Sequence, residues 1–422
     1  TGKFKAQTLY TANDPSYGSS GISLADVDSD GDMDIISAED DNVIALYKNN
    51  GDFQLEDVTF TTGLDLNNTN SYGATWSDIN RDGLLDLVYC DRAFPLDIEG
   101  NTNRVYINNG NQSFTDITMF SNLADDGKQG FMAVAGDLNK DLWPDFFVTH
   151  DIAKRTSLFI NQQDSTFKDI SDISETAYVI DGMGIAIGDV NLDQAPDIYV
   201  TNIETGNLML INQGVDNTTS ELKFSEEADS RGCAVNILTW GVSLFDADND
   251  GDSDLYISGA EKVSSALYNN DGLGFFTKND KIFEGDSLRS FSNCIGDFNN
   301  DNLPDIYVAN DFLEPDFLYI NQGDGTFKDE ALSRFKHISA NSMGSDYADI
   351  NNDLQPDLIV LDMLAEDHIR SKQNMATMST DNFNLIVESG YHHQYMSNML
   401  QLNNGNGTYS DIGQLAGIAK TD

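Results

Sequence analysis

The chain has 422 residues and a formal charge of -47, from 70 acidic and 23 basic side chains. So acidic a chain is not a binder of phosphate backbones, because nucleic-acid affinity rests on Lys and Arg. It has no apolar run of transmembrane length, and its three cysteines, Cys90, Cys233 and Cys294, are too few and scattered for a disulfide scaffold or a zinc site and read as buried thiols.

An aspartate-rich nonapeptide opens at Asp26 (DVDSDGDMD). It recurs at Asp78 (DINRDGLLD), Asp137 (DLNKDLWPD), Asp189 (DVNLDQAPD), Asp246 (DADNDGDSD), Asp297 (DFNNDNLPD) and Asp349 (DINNDLQPD). The copies start roughly 50–60 residues apart, a period that implies stacked or radially arranged units burying a core only against their neighbours. Each loop follows a strand rich in small residues: GISLADVD, GATWSDIN, FMAVAGDLN, GMGIAIGDVN, WGVSLFDAD, SFSNCIGDFN and MGSDYADIN. After it come a second strand such as DIYVAN, a third such as RVYINNG or FLYINQ, a Gly/Asn hairpin turn, and a fourth such as FTDI, FKDE or YSDI. Four short strands per unit predict an all-β fold, a seven-bladed β-propeller of four-stranded blades, because a β-solenoid repeats over far fewer residues. The small residues before each loop suit the crowded inner strand. The expected organisation is one propeller domain over residues 1–422, with a long insertion at about 363–398 in the last repeat. Fourth-strand copies number eight, from KFKAQTLY around Phe4 to YSDIGQL around Tyr409. Either terminal strand could finish the other's blade, or an eighth blade is possible if the parent chain continues.

Positions one, three, five and nine of each loop carry Asp or Asn, and position seven offers its backbone carbonyl. In order these are Asp26, Asp28, Asp30 and Asp34 with Asp32; Asp78, Asn80, Asp82 and Asp86 with Leu84; and Asp137, Asn139, Asp141 and Asp145 with Trp143. Then follow Asp189, Asn191, Asp193 and Asp197 with Ala195; Asp246, Asp248, Asp250 and Asp254 with Asp252; Asp297, Asn299, Asp301 and Asp305 with Leu303; and Asp349, Asn351, Asp353 and Asp357 with Gln355. Alternate residues of a tight loop can converge on one ion, and hard oxygens suit Ca²⁺, which tolerates irregular coordination better than Mg²⁺. The bidentate Glu and flanking helices of an EF-hand are missing. One such loop alone would read as an Asp/Asn turn. Seven in register between strands predict up to seven structural Ca²⁺ ions, and so many sites suit calcium-rich surroundings outside the cytosol. Position six is Gly only at Gly31, Gly83 and Gly251; Leu142, Gln194, Asn302 and Leu354 stand elsewhere. A left-handed backbone is costly for Leu or Gln. Those four loops are therefore expected to take another conformation, helped by Pro144, Pro196, Pro304 and Pro356 at position eight. Loops one and five carry the most charge.

On these loops and their pairing with Y.N.G.GTF.D turns, nearly the whole chain resembles the FG-GAP/VCBS repeat family, whose calcium loops also occur in integrin α-subunit propellers. The stretch from LDMLAEDHIRSK through FNLIVESGYHHQYMSNMLQLNNGNGTYSDIGQLAGI is similar to large Bacteroidota surface or secreted proteins that carry VCBS repeats and an ASPIC/UnbV domain, although no ASPIC/UnbV domain is recognisable here. In that group a further repeat commonly follows, so the chain looks like the front part of something longer. The resemblance implies Ca²⁺, a location at the cell surface or outer membrane or in the medium, and an interaction role, with an accessory place in an outer-membrane complex among the options.

If the metal loops join strands one and two, they share one face, and the long segments 90–103, 226–240 and 363–398 lie on the other. Non-repeating loops on a rigid scaffold are where function concentrates. Arg92, Lys154, Arg155, Arg231 and Arg289 there could meet an anionic glycan or protein carboxylates, against the plainer reading of solvated loop charge. His392 and His393 sit beside Tyr391 and Tyr395, but adjacent residues of an extended chain point opposite ways, which argues against a shared metal. The alternative function is a propeller-type polysaccharide lyase or hydrolase using His150, Asp151, Tyr391 or Tyr395 as acid/base groups. No nucleophile elbow or HExxH motif supports it, and the fold alone does not decide.

Overall fold

Each Asp-rich loop turns one strand back onto the next, and the same four-strand unit follows every time. The computed structural model describes residues 21–39, 43–51, 55–64, 71–91, 102–110, 112–124, 130–150, 154–203, 206–259, 265–279, 290–311, 314–362, 380–416 and 418. The strands before the loops are Gly21–Ala25, Ser71–Ser77, Gly130–Gly136, Gly182–Gly188, Thr239–Phe245, Ser290–Gly296 and Ser342–Ala348. Those after them are Asp34–Glu39, Asp86–Asp91, Asp145–His150, Asp197–Asn202, Asp254–Gly259, Asp305–Asn310 and Asp357–Asp362. A third strand such as Phe317–Asn321 and a fourth such as Phe327–Asp329 complete each antiparallel sheet in chain order. The fold is the all-β, seven-bladed propeller that seven loops predict.

The second strands are apolar on both faces because each blade is covered on both sides. In blade two, Leu87 and Tyr89 pack with Ile36 and Leu46 of blade one, while Val88 and Cys90 pack with Phe146 and Val148 of blade three. A period of two along the strand thus hands alternate residues to alternate neighbours. The three cysteines are buried and none is joined in a disulfide. First strands touch one another around the axis, blade seven meeting blade one. Their small residues are required there: a Cβ on Gly184 would lie 2.5 Å from the Trp240 carbonyl oxygen of the next blade. No helix among the described residues is long and apolar enough to cross a membrane.

Of the two strands that could finish the other end's blade, one can be placed. Tyr409–Asp411 is the outer strand of blade seven's own sheet, and the Phe4 segment lies outside the described residues. Among the described residues no blade borrows a strand. Instead Ile350, Ile359 and Leu400 of blade seven pack with Ile35, Tyr47 and Leu55 of blade one, and the Leu24 amide donates to Asp346 at 3.2 Å.

One asparagine per third strand links neighbouring blades. In blade four, Asn212 donates its backbone N–H to Asp197 at 2.8 Å and accepts the Gly214 N–H at 2.9 Å. Its Nδ2 donates to the Pro196 carbonyl at 3.1 Å and, across the gap, to Leu138 of blade three at 2.9 Å. The cross-blade bond recurs from Asn108 to Val27, Asn161 to Ile79, Asn270 to Val190 and Asn321 to Ala247, and at the seam from Asn49 to Ile350. Blade seven differs. There Asn403 Nδ2 donates to the Tyr409 hydroxyl at 3.1 Å, which donates to the Phe298 carbonyl of blade six at 3.0 Å. Blades two, three, five and six have Phe114, Phe167, Phe276 and Phe327 where blade seven has Tyr409. Replacing Asn212 by Leu strands buried donors and acceptors, so Asn212→Leu should cost roughly 2–4 kcal/mol. Tyr409→Phe breaks the relay alone and should cost about 1 kcal/mol. Denaturant titration of both variants checks the order; equal losses would refute the relay.

Candidate metal loops and the opposite face

The seven loops share one hydrogen-bond pattern. The position-one carboxylate accepts the N–H groups of positions five and six: Asp26 from Asp30 at 3.1 Å and Gly31 at 3.0 Å, and Asp349 from Asp353 at 2.9 Å and Leu354 at 2.7 Å. Position five accepts from position seven, as Asp193 does from Ala195 at 2.8 Å. Position nine is buried at the head of strand two and accepts two N–H groups; Asp305 takes those of Phe298 at 2.9 Å and Asn321 at 2.8 Å. Where position three is Asn, its amide ties itself to position five: Asn80 to Asp82, Asn139 to Asp141, Asn191 to Asp193, Asn299 to Asp301 and Asn351 to Asp353. The side chains at positions one, three, five and nine thus take part in one hydrogen-bonded turn, repeated from loop to loop.

The conformational change expected in the loops without glycine does not occur. Leu142, Gln194, Asn302 and Leu354 have φ of 71°, 69°, 66° and 67°, in the same left-handed region as Gly31, Gly83 and Gly251. Position four is left-handed as well, from Ser29 and Arg81 through Lys140, Leu192, Asn249, Asn300 and Asn352. A side chain there costs about 1–2 kcal/mol, and the two N–H bonds onto the position-one carboxylate offset it. Position four also reaches position seven of the next loop. Asn300 donates to Gln355 at 2.5 Å, Asn352 to Asp32 at 2.6 Å, and Arg81 lies 5.5 Å from the centre of the Trp143 ring.

Burial is the main cause that pushes the position-nine carboxyls up: to about 6 in Asp34 and Asp86, and about 7 in Asp145, Asp197, Asp254, Asp305 and Asp357. Loops one and five are special. Asp26, Asp28 and Asp34 in one, and Asp246, Asp248 and Asp250 in the other, bring carboxylate oxygens within 4.8 Å of one another. Asp28 Oδ1 and Asp252 Oδ1 are buried without a hydrogen-bond partner. Anionic oxygens buried without a donor are costly, and a hard dication fits this donor set.

The other candidates divide. Arg92, Asp151 and Arg289 lie outside the described residues. Lys154 and Arg155 are exposed, and Arg155 pairs with Asp172. Arg231 is not a free ligand-face arginine. It is 8% exposed, pairs with Glu227 at 2.9 Å and donates to the Leu273 and Gly274 carbonyls at 2.9 and 3.1 Å, pinning the outer turn of blade five. Arg334 repeats this in blade seven, bonding Glu330 and the Gly407 carbonyl. His150 is wholly buried within strand two of blade three, away from any solvent-side acid/base role. His392 is buried with its Nε2 3.1 Å from the Phe335 carbonyl oxygen, and burial lowers its pKa. His393 is exposed where His392 is buried, and their rings lie edge-on with centroids 6.4 Å apart. Tyr395 is 44% exposed, stacked on Phe383 at 5.4 Å and edge-on to His337 at 5.1 Å. Phe383 belongs to the helix Thr380–Glu388, and Gln394–Tyr395 pairs in parallel with Ile338–Ser339 of the blade six-to-seven connection. Within 363–398, residues 363–379 lie outside the described residues. Sequence reasoning gave no role to the third-strand asparagines, although an Asn in every third strand was visible, nor to Arg334.

The FG-GAP-like repeat model matches residues 26–89, 137–200, 246–308 and 297–360, more than half of the chain, which therefore belongs to this family. No curated protein matches it by sequence. Among solved structures it is similar to BBS1N in complex with ARL6DN soaked with mercury, at 10% identity and a TM-score of 0.50 over 84% of this chain and 92% of that one. The lead-soaked complex gives 10% identity and 0.49 over 84% and 94%. An Agrocybe aegerita lectin that recognises non-reducing terminal N-acetylglucosamine gives 16% identity and 0.49 over 74% of this chain and 79% of that one. At such identities the likeness concerns fold alone.

Two expectations follow from the loop geometry. Leu354 is 84% exposed, so Leu354→Gly loses no burial and relieves a left-handed backbone; it should stabilise by about 1 kcal/mol in denaturant titration. The position-nine acids titrate higher when folded than unfolded. Their contribution to stability is full below the ordinary carboxylate range and is lost as pH rises through about 6 to 7. The thermal midpoint in calcium-free buffer should accordingly fall between about pH 5 and pH 8, and a flat profile would contradict the burial argument.

Proposed function

We propose that this FG-GAP propeller is a calcium-stabilised, extracytoplasmic interaction module that binds a protein or a glycan, with up to seven structural Ca²⁺ ions in its loops. The observation that carries the metal reading is the approach of three carboxylates to within 4.8 Å in each of the two all-aspartate loops, with Asp28 Oδ1 buried among them without a donor. In this reading the side chains at positions one, three, five and nine and the carbonyl at position seven hold the ion, which neutralises their mutual repulsion. The chain's own residues do the rest. Position one fixes the turn, position nine anchors the loop to strand two, and the third-strand asparagine carries that order to the preceding blade. Binding to the folded chain alone stabilises it by about 2.7 kcal/mol per site at a hundredfold excess over Kd.

The extracytoplasmic setting draws support from the number of loops, which suits plentiful calcium, and from the resemblance to Bacteroidota surface proteins. An accessory role in an outer-membrane complex is the finer form of the same proposal. For the ligand we favour the face opposite the loops, where Tyr395, stacked on Phe383, and Tyr391 are exposed. Such aromatics suit a sugar ring or an apolar side chain.

The test is a thermal melt in calcium and in chelator, with calcium counted by titration calorimetry. The midpoint should drop in chelator by on the order of ten degrees or more; superimposable melts would remove the structural role of calcium. Tyr395→Ala should keep the calcium-loaded melt and lose capture of proteins from outer-membrane extracts or of acidic polysaccharides. Capture at the native level would move the ligand away from this shelf.

A further inference from the structure

The residue just before each linking asparagine differs between blades, packing into the core between blades where it is apolar and meeting loop carboxylates where it is polar. It is apolar in five: Ile107, Ile160, Ile211, Ile320 and Leu402. In blade five it is Asn269, which donates to Asp248 at 3.2 Å. In blade one it is Lys48, whose ammonium pairs with Asp28 and lies 3.1 Å from Asp30. Both partners are secluded, the Lys48 and Asp28 side chains being 13% and 10% exposed. Charge count alone would make loops one and five, with five aspartates each, the tightest calcium sites.

We propose that Lys48 is a built-in counter-cation of loop one, which holds that loop and the ring seam together at low calcium and makes loop one the weakest calcium site, with loop five the tightest. The inference rests on the calcium reading above. In five loops the position-three Asn amide ties positions three and five together. In loop one position three is Asp28, which as a carboxylate has no N–H to offer, and Lys48 makes that tie instead. Loop five has no such device, because Asn269 meets Asp248 alone and Asp252 Oδ1 stays without a partner. A dication drawing on Asp28 and Asp30 meets an ammonium already on both, and like-charge repulsion at that range weakens binding roughly tenfold or more. Asp28 Oδ1, beside Asp26 and Asp34, remains without a donor, so the site is weakened rather than closed. Loop one also flanks the seam. Asp32 accepts from Asn352 of blade seven at 2.6 Å, and Asn49, next to Lys48, donates to Ile350 at 3.4 Å. Lys48 bonds within blade one, so it acts on the seam indirectly: by keeping loop one in shape when calcium falls it keeps Asp32 and Asn49 where blade seven meets them.

The experiment compares calcium isotherms of the full chain as wild type, Lys48→Ile (the residue of blades two, three, four and six) and Lys48→Arg. Thermal midpoints are taken in chelator and in saturating calcium. Lys48→Ile should move one site from the weakest class to one roughly tenfold tighter, melt below wild type in chelator and match it in calcium; Lys48→Arg should behave as wild type. Lys48→Met gives the same reading if the Ile variant does not fold. A wild type that binds calcium beside a Lys48→Ile isotherm that superimposes on it overturns the role of Lys48 and leaves the calcium reading standing. A wild type that binds no calcium overturns both.

Discussion

The buried aspartate at position nine of each loop is the constraint on which the ring depends. It stands where loop, second strand and third strand meet, and it must be there to accept two main-chain N–H groups that no strand partner reaches, one from position two and one from the third-strand asparagine. Asp357, with Ile350 and Asn403 as donors, is one instance in seven. Burying a carboxylate without compensation is costly, so the site tolerates it only with both donors in place. That requirement fixes the loop length at nine residues and the register of strands two and three together. The asparagine so positioned has one amide left over, and it points into the gap between blades.

That spare amide explains why a repeat of short, individually marginal sheets closes into a ring. Four strands with apolar surfaces on both faces need a neighbour on each side. Packing alone would allow the blades to slide. A hydrogen bond from Asn161 to Ile79, and its counterparts, pins each blade to the carbonyl of position two in the blade before it. The loop, the outer hairpin and the neighbour are then one mechanical unit. Anything that stiffens a loop, whether its own hydrogen bonds or an ion, acts on the inter-blade joint through two bonds.

Blade count, strand count and the place of the seven loops were legible in the sequence because each depends on local pattern repeated seven times. What was not legible depends on energies that local rules treat one at a time. Leu142 and Leu354 sit in a left-handed conformation that propensity disfavours, because two N–H bonds to one carboxylate outweigh the steric cost. Arg231 looked like a free basic residue in a long connection; the partners that bury it, Leu273 and Gly274, lie some forty residues away and only the fold brings them near. Tyr409 differs from phenylalanine by one hydroxyl, and nothing in its own strand says that the hydroxyl completes a bond between blades six and seven.

The two faces follow from the same constraint. On the loop face every blade must satisfy the same donors, so variation is confined to exposed tips such as Leu192 and Leu354 and to residues facing the carboxylates, as Lys48 does. On the other face the blade-to-blade connections and strand two-to-three links carry no such obligation, and there the chain spends length freely, pairing Ile338–Ser339 with Gln394–Tyr395 and building a helix at Thr380–Glu388. A scaffold held rigid from one face can bear irregular, aromatic segments on the other without losing its closure. Recognition evolving on such a molecule would meet the least structural resistance at exposed aromatics such as Tyr391 and Tyr395.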